Sequence, residues 1–328
     1  MVNSKATIVI PNYNGAKYLD ACLRSLKKQT VTSKVIIVDN GSTDGGIKLL
    51  RDSIVKHPDR YPQVEIKELS ENTGFANAVN VGIKQAETEF VILLNNDTVS
   101  ETKMTEALLW TIMDDDRIFS VQAKMLQMKE PHCIDDSGDL YSALGWAFSP
   151  GRDKEKTAYN KRTRITSACA GAAIYRKAVF EEIGYFDEAH FCYLEDVDVG
   201  YRARIYGYRN IYEPTAIVYH AGSGTSGSRY NVFKEELTAG NNLYFLYKNM
   251  PAVQLIINLP LLILGIVVKQ IYFAKKRLGM AYFKGLISGI NKIIHNTDKK
   301  VKFQKQNIKN YVMLECELIF NCVRRLVG

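Results

Sequence analysis

The sequence predicts an α/β protein built on a mostly parallel central sheet, and three features of its 328 residues carry that reading. Short β-branched runs alternate with segments of helical period through the first hundred residues. A polar loop follows the first, second and fourth of these runs. Beyond Gly240 the texture changes to apolar and then basic stretches that read as further helices. Alternation of the first kind lays helices over a parallel sheet and puts ligands beyond the carboxyl ends of its strands.

Taken in order, residues 7–10 form the first strand, and Tyr18, Leu19, Cys22, Leu23 and Leu26 mark one face of the first helix. Residues 35–38 and 64–69 are the next strands, residues 75–86 a helix, and residues 90–94 a fourth strand. The polar loops are PNYNG at 11–15, DNGSTD at 39–44 and NND at 95–97. From residue 114 to 166 the pattern loosens, and the Gly-, Ser- and charge-rich stretch 135–164 reads as a long loop over the site. A helix follows at 195–206, where Leu194, Val197, Tyr201, Ile205 and Tyr208 recur every three or four residues.

Residues 249–268 carry no charge and match the roughly 20 residues that span a bilayer, although Gln254, Asn258 and Pro260 interrupt the run. Lys269, Lys275, Lys276 and Arg277 come next. In the following segment Tyr282, Phe283, Leu286, Ile287, Ile290, Ile293 and Ile294 share one helical face, with Lys284, Ser288, Asn291, Lys292 and His295 on the other, the pattern of an interfacial amphipathic helix. Two buried helices of a soluble bundle are the alternative. The expected division is a catalytic domain over 1–228 and a basic, helical, membrane-associating region over 229–328.

Charge separates along the same line. The last hundred residues hold 16 Lys and Arg against 5 Asp and Glu, a net of +11, while the rest of the chain is −3. Basic residues beside an apolar run favour an anionic membrane surface over nucleic acid, for which no aromatic-basic platform is present. Six cysteines lie far apart without a CxxC pair, which excludes a zinc module or disulfide scaffold and fits a reducing compartment. The first apolar stretch is too short for a signal-peptide core. The catalytic part is therefore expected at the cytoplasmic face of the cell membrane. The first strand exits into PNYNG, with neither GxGxxG nor a Walker loop, which argues against a nicotinamide enzyme and a P-loop phosphate site. What the strand ends offer instead is Asp39, Asn40, Asp44, Asn95, Asn96 and Asp97, groups that suit a base, ribose hydroxyls and a hard divalent cation.

The phrases TIVIPNYNGAKYLDACLRSLKKQT, VIIVDNGSTDGG, ENTGFANAVNVGI, FVILLNNDT and GYFDEAHFCYLEDVDVGYRARIYGY, in this order over residues 5 to 225, resemble family 2 glycosyltransferases of the nucleotide-sugar-binding GT-A fold, and their rhamnosyltransferase-like branch. The resemblance implies nucleotide binding by Asp39, whose alternative is an Asx-turn. It implies contact with the donor by Pro11, Asn12 and Tyr13, by Asn72, Gly74 and Asn80, by Asn96, and by the backbone of Gly171. It places a divalent metal, Mg²⁺ or Mn²⁺, on Asp97, and on His220 as in some relatives. Arg229 is a candidate for neutralising the diphosphate.

The catalytic base falls on Asp196, with Glu195 as fallback. A carboxylate there takes the proton of an acceptor hydroxyl as its oxygen attacks the anomeric carbon. The bland alternatives are acids favoured by a helix N-terminus and an Asp198–Arg202 pair at i,i+4. The implied activity is inverting, metal-dependent transfer of a sugar, rhamnose from dTDP-rhamnose by similarity, to a lipid-linked glycan acceptor in surface polysaccharide synthesis. A UDP-sugar-dependent transferase acting on another glycan or on polyprenyl phosphate, and a non-catalytic membrane scaffold, are the competing readings. Association as a homo-oligomer stays open.

Overall fold

The computed structural model describes residues 5–222 and 230–327. Strands β1 (Ala6–Asn12), β2 (Val35–Asp39), β3 (Val64–Glu68) and β4 (Phe90–Leu94) alternate with helices α1 (Ala16–Lys27), α2 (Gly46–Lys56) and α3 (Phe75–Gln85). The runs of Ile, Val and Leu in β1, β2 and β4 are buried on both faces, as a central parallel sheet requires. Because strand side chains alternate, Ile8 and Ile10 join α1 in one hydrophobic layer while Val9 joins α3 in the other. A Cβ on Gly82 of α3 would lie 2.2 Å from a methyl of Val9, so glycine there lets α3 sit directly on the sheet.

Beyond β4 come β5 (Thr98–Ser100), α4 (Met104–Met113), β6 (Ile118–Gln127), β7 (Ile134–Asp136), β8 (Leu140–Ser142), β9 (Trp146–Phe148), β10 (Thr163–Ile165), β11 (Ala172–Arg176), α5 (Lys177–Ile183), α6 (Glu195–Ile205) and β12 (Arg209–His220). The main path across the sheet runs β10-β12-β6-β11-β4-β1-β2-β3, with β5 on β12 and β7 on β6. Six of those eight strands point the same way; β11 is antiparallel to both its neighbours and β10 runs against β12. The sheet is mostly parallel, as expected, with one antiparallel strand inserted beside β4.

The stretch 135–164 is not one long loop. It contains the end of β7, the β8–β9 hairpin and the start of β10, and Cys133 bridges to Glu155. Its Gly and Ser residues hid strands of three residues, too short to show a period.

Four helices close the chain: α7 (Val232–Asn249), α8 (Ala252–Lys275), α9 (Gly279–His295) and α10 (Ile308–Val327). A Cβ on Gly240 of α7 would lie 2.8 Å from the carbonyl oxygen of Gly285, and one on Gly289 would lie 2.7 Å from that of Gly240, so three glycines permit the close crossing of α7 and α9. Helix α8 lies along the catalytic part rather than apart from it. The Trp146 indole donates to the Gly265 carbonyl at 3.2 Å, and Gln254 and Asn258 donate to Glu315 of α10 at 2.9 Å each. The polar interruptions of the apolar run are thus its inward stripe, together with Leu262 and Gly265.

The rest of that run, including Val253, Ile256, Ile257, Leu264 and Val267, is exposed. Helix α9 departs from the single apolar face expected of it. Tyr282 packs inward with the glycines while Phe283, Ile287, Ile290 and Ile294 stay exposed, because the apolar arc is wide enough to serve two sides. Lys292, expected on the solvent face, turns in towards the catalytic part.

Candidate active site

Strands β1, β2 and β4 end side by side, and a chain of side-chain hydrogen bonds ties their ends together. Asn96 donates to Asn12 Oδ1 at 2.7 Å, Asn12 donates to Asp39 Oδ1 at 2.7 Å, and the Ser42 hydroxyl and amide donate to the two Asp39 oxygens at 2.6 and 3.2 Å. Asp39 thus holds the loop that follows it, through the amide three residues on rather than the one two residues on that an Asx-turn uses. It borders a smaller cavity of about 270 Å³ with Ser42 and Asp44. Next to it, Asn40 bonds Asn72 at 2.9 Å and Gly74 at 3.1 Å, which fixes the start of α3. Gly74 has φ +89°, and a Cβ there would lie 2.6 Å from the Phe191 ring. Only glycine accepts both conditions.

These strand ends open onto a cleft of about 1080 Å³. Pro11, Tyr13, Asn72, Gly74, Asn96, Gly171, Asp97, His220, Glu195 and Asp196 all line it. Asp39 and Asn80 do not. Asn80 is buried and pairs with the backbone of Phe186, donating at 2.8 Å and accepting at 3.1 Å, so it anchors the segment that leads to α6 instead of facing a ligand. Arg229 and the glycine-rich loop residues 223–227 lie outside the described residues.

Asp97 and His220 meet because β5 and β12 pair beside the end of β4. His220 Nε2 lies 3.2 Å from Asp97 Oδ1, and its Nδ1 lies 2.7 Å from Asp135 Oδ2. Burial of the ring disfavours its charge, but Asp135 and Asp97 outweigh that and raise its pKa to about 10. A cation held by Asp97 would displace the Nε2 proton, and one buried carboxylate plus one neutral imidazole held from behind by a second carboxylate is a ligand set that fits such an ion. Its mixed oxygen and nitrogen character suits Mn²⁺ better than Mg²⁺.

Across the cleft a second group of acids gathers at the start of α6. Burial first, and the neighbouring Asp136 charge, raise Asp196 to about 6 against the backbone N–H of Val197 that it accepts at 2.8 Å. Glu195 is held well above the ordinary range by burial and by Asp196, and its Oε2 has no hydrogen-bond partner among the described residues. Asp139 is likewise raised by burial and by Asp136. A carboxylate poised near neutrality in a cleft is the form a general base takes.

Asp198 has a different role. It is fully buried, with Arg202 at 2.8 Å, Lys248 at 2.9 Å and Asn249 at 2.7 Å. Lys248 also holds Asp187 at 2.7 Å. The i,i+4 reading of Asp198 with Arg202 is thus observed, extended into a network that bolts α6 to α7.

Sequence reasoning missed a clamp on the segment before α6. Phe191, Tyr193 and Leu194 have φ of 62°, 71° and 66°, a strained run immediately ahead of the two acids. Asn241 of α7, fully buried, donates to the carbonyls of His190, Cys192 and Tyr193 at 2.8, 2.9 and 2.8 Å, and accepts from Lys292 at 2.5 Å. Nothing in the local sequence marks it. Also missed were Asp135, Asp136 and Asp139 and, at the cleft's edge, Arg152 and Lys234. Three aspartates within five residues of a Gly- and Ser-rich stretch were the available signal for the first group.

Comparison with known proteins bears on this geometry. The family model described as Glycosyl transferase family 2 matches residues 7–184. An N-acetylglucosaminyl-diphospho-decaprenol L-rhamnosyltransferase of Mycobacterium tuberculosis is 30% identical over 251 residues, covering 67% of this chain and 77% of the relative. Among solved structures, the mannosyltransferase PcManGT from Pyrobaculum calidifontis, in complex with GDP-Man and Mn²⁺, superposes with a TM-score of 0.54 at 16% identity, over 99% of this chain and 88% of that one. S. aureus TarS 1–349 gives 0.52 at 17% identity, over 98% and 85%. At such identities these two likenesses speak for the fold, the GT-A arrangement of sheet and helices.

Proposed function

This chain belongs to glycosyl transferase family 2, and from that premise we propose that it is an inverting, metal-dependent enzyme that moves a sugar from a nucleotide donor to a lipid-linked saccharide at a membrane surface. The observation that carries the reading is that Asp97 with His220 and Asp196 with Glu195 face the same open cleft. The M. tuberculosis relative, whose name specifies rhamnosyl transfer to a GlcNAc-diphospho-lipid, supports rhamnose as the sugar and such a lipid as the acceptor. By the same similarity the donor is dTDP-rhamnose.

In the proposed chemistry Pro11, Tyr13, Asn72 and Asn96 hold the nucleotide and sugar at the strand ends, with Asn12 and Asp39 fixing the orientation of Asn96. Asp97 and His220 would hold a divalent cation, which offsets the negative charge that builds on the departing nucleoside diphosphate. Asp196 accepts the proton of the acceptor hydroxyl as that oxygen forms its bond to the anomeric carbon and the bond to the diphosphate breaks. A single displacement of this kind inverts the anomeric centre. Glu195 beside Asp196 is held well above the ordinary carboxylate range by burial and by the Asp196 charge, while Asp196 is raised to about 6, the range that suits a base working near neutral pH.

The exposed apolar faces of α8 and α9, flanked by Lys275, Lys276 and Arg277, support attachment to an anionic bilayer surface. Helix α8, 24 residues long, is long and apolar enough to cross a bilayer. Its inward stripe is joined to Trp146, Tyr201 and Glu315, which supports a helix held against the catalytic part with its outer face towards lipid. The test is transfer from a panel of labelled nucleotide sugars to a GlcNAc-diphospho-prenyl acceptor with and without Mn²⁺. Rhamnosyl transfer that requires the metal and inverts the anomeric centre is the expected result; no transfer from any donor, or retention, overturns it.

A further inference from the structure

We propose that Arg152 and Lys234 form a subsite at the mouth of the cleft that grips the diphosphate of the lipid-linked acceptor. The inference rests on the lipid-acceptor reading above and adds to it the place where that acceptor's charge is met. The interior of the cleft is hostile to an anion: Asp97, Asp135, Asp136, Asp139, Glu195 and Asp196 all face it. Among the described residues lining it, Arg152 and Lys234 are the only arginine and lysine. They come from distant parts of the chain, Arg152 from the connection between β9 and β10 and Lys234 from the first turn of α7.

Two like charges held together repel. Burial, and then the Arg152 charge, lower the pKa of Lys234 against the opposing pull of Glu235 and Asp135, and an anion shared by Arg152 and Lys234 makes charge-assisted contacts with both. Arg152 reaches Asp135 at 3.4 Å, a long contact that leaves its side chain 45% exposed. The backbone adds to the same field. Helix α7 is 18 residues long and begins at this mouth, where Asn231 caps it by accepting the Lys234 amide at 2.9 Å. The partial positive charge of a helix N-terminus favours an anion there.

An apolar track leads away from the pair, as a prenyl chain needs. Phe233, beside Lys234, lines the mouth and is 51% exposed. Tyr230, just before the cap, meets Tyr272 and Phe273 of α8 edge-on at 6.2 and 6.3 Å, with the Lys276 ammonium 4.3 Å above its ring. From Tyr272 the exposed apolar face of α8 continues. A saccharide-diphospho-lipid laid on these features has its sugar inside near Asp196, its diphosphate on Arg152 and Lys234, and its chain along α8.

The test uses the full-length protein with two acceptors that carry the same saccharide, one on a prenyl diphosphate and one on a neutral alkyl chain. In Arg152→Gln/Lys234→Gln, kcat/KM for the diphosphate acceptor should fall about tenfold or more, as expected when charge-assisted contacts are lost. The loss on the neutral acceptor should be clearly smaller, so that the preference for the diphosphate acceptor falls, the KM for the nucleotide sugar should hold, and the charge-keeping Arg152→Lys/Lys234→Arg protein should retain most of the preference. Equal loss on both acceptors, an unchanged preference, or a rise in the KM for the nucleotide sugar overturns the proposal, the last by assigning the pair to the donor. If wild type uses neither acceptor, the parent reading fails, and that is seen without any variant.

Discussion

His220 stands between two carboxylates, its Nε2 3.2 Å from Asp97 and its Nδ1 2.7 Å from Asp135. The ring is aimed at Asp97 by a partner on β7 that belongs to a different part of the chain. For the proposed metal site, a histidine oriented in this way has the support of a ligand already in place.

That support should be measurable. Asp97→Ala is expected to abolish Mn²⁺-dependent binding of nucleoside diphosphate in titration calorimetry. Asp135→Asn, which leaves both ligands present, should weaken metal affinity about 10- to 100-fold. Metal-dependent heat unchanged in Asp97→Ala would remove the cation from this position.

Asp196→Asn should keep donor binding and lower kcat by about 100-fold or more, the scale of a lost general base. The pH profile supplies an independent check. Burial and the Asp136 charge set Asp196 near 6, so kcat/KM should rise as the pH climbs through about 6 and then level off. The groups facing it are Asp136 and Asp139 from the β7–β8 segment, Cys169 before β11, Glu195 on its own helix and, further out, Arg152. Asp136→Asn removes one negative neighbour and should move the acid limb to lower pH; an unmoved limb would separate the limb from Asp196.

Asp198 and Asp187 carry a stability prediction instead. Burial acts to raise both, but Arg202 and Lys248 at Asp198, and Lys248 at Asp187, leave both below the ordinary carboxylate range. Their contribution is fully present above the unfolded value of about 4 and is lost as the pH falls towards the lower folded values. Asp198→Ala leaves Lys248 and Arg202 without this buried partner and should cost about 3–5 kcal/mol in denaturant unfolding at pH 7. The deficit relative to wild type should shrink as the pH drops below about 4.

The Asn241 clamp predicts a split between binding and turnover. Asn241→Ala releases three carbonyls that precede Glu195 and Asp196, so kcat should fall while the KM for the nucleotide sugar, bound at the strand ends, holds. An equal rise in that KM would show that the donor half depends on the clamp as well.

For the membrane, Ile256→Glu/Leu264→Glu places charge on the exposed face of α8 without touching its inward stripe. Sedimentation with anionic vesicles should drop sharply for this variant while activity on a short, soluble acceptor is retained. Undiminished sedimentation would move the docking face elsewhere.

Much of this was legible along the chain. The strand-helix alternation, the polar strand ends and the ED pair are local patterns, and local patterns are what periodicity and spacing report. The grouping of Asp135, Asp136 and Asp139 beside Asp196 was not, since it depends on how a stretch of three-residue strands folds against β6. Asn80 shows the same limit: its residue type suited a ligand, but the Phe186 backbone had first claim on its hydrogen bonds.

Sequence alone determined the first four strands, that the carboxyl ends of three of them carry oxygen and amide donors, and that the tail is basic and apolar; each follows from residue type and spacing within a few turns of chain. Tertiary structure decided which acids face one cleft, which aspartate became a bolt between helices and which was left poised near neutrality in the cleft, and that α8 lies against the catalytic part. These outcomes depend on burial and on partners 50 to 180 residues away, such as Asp198 with Lys248 or Asn321 with Tyr141. A carboxylate's role is set by the charges and donors that packing brings to it, and linear spacing carries no record of them.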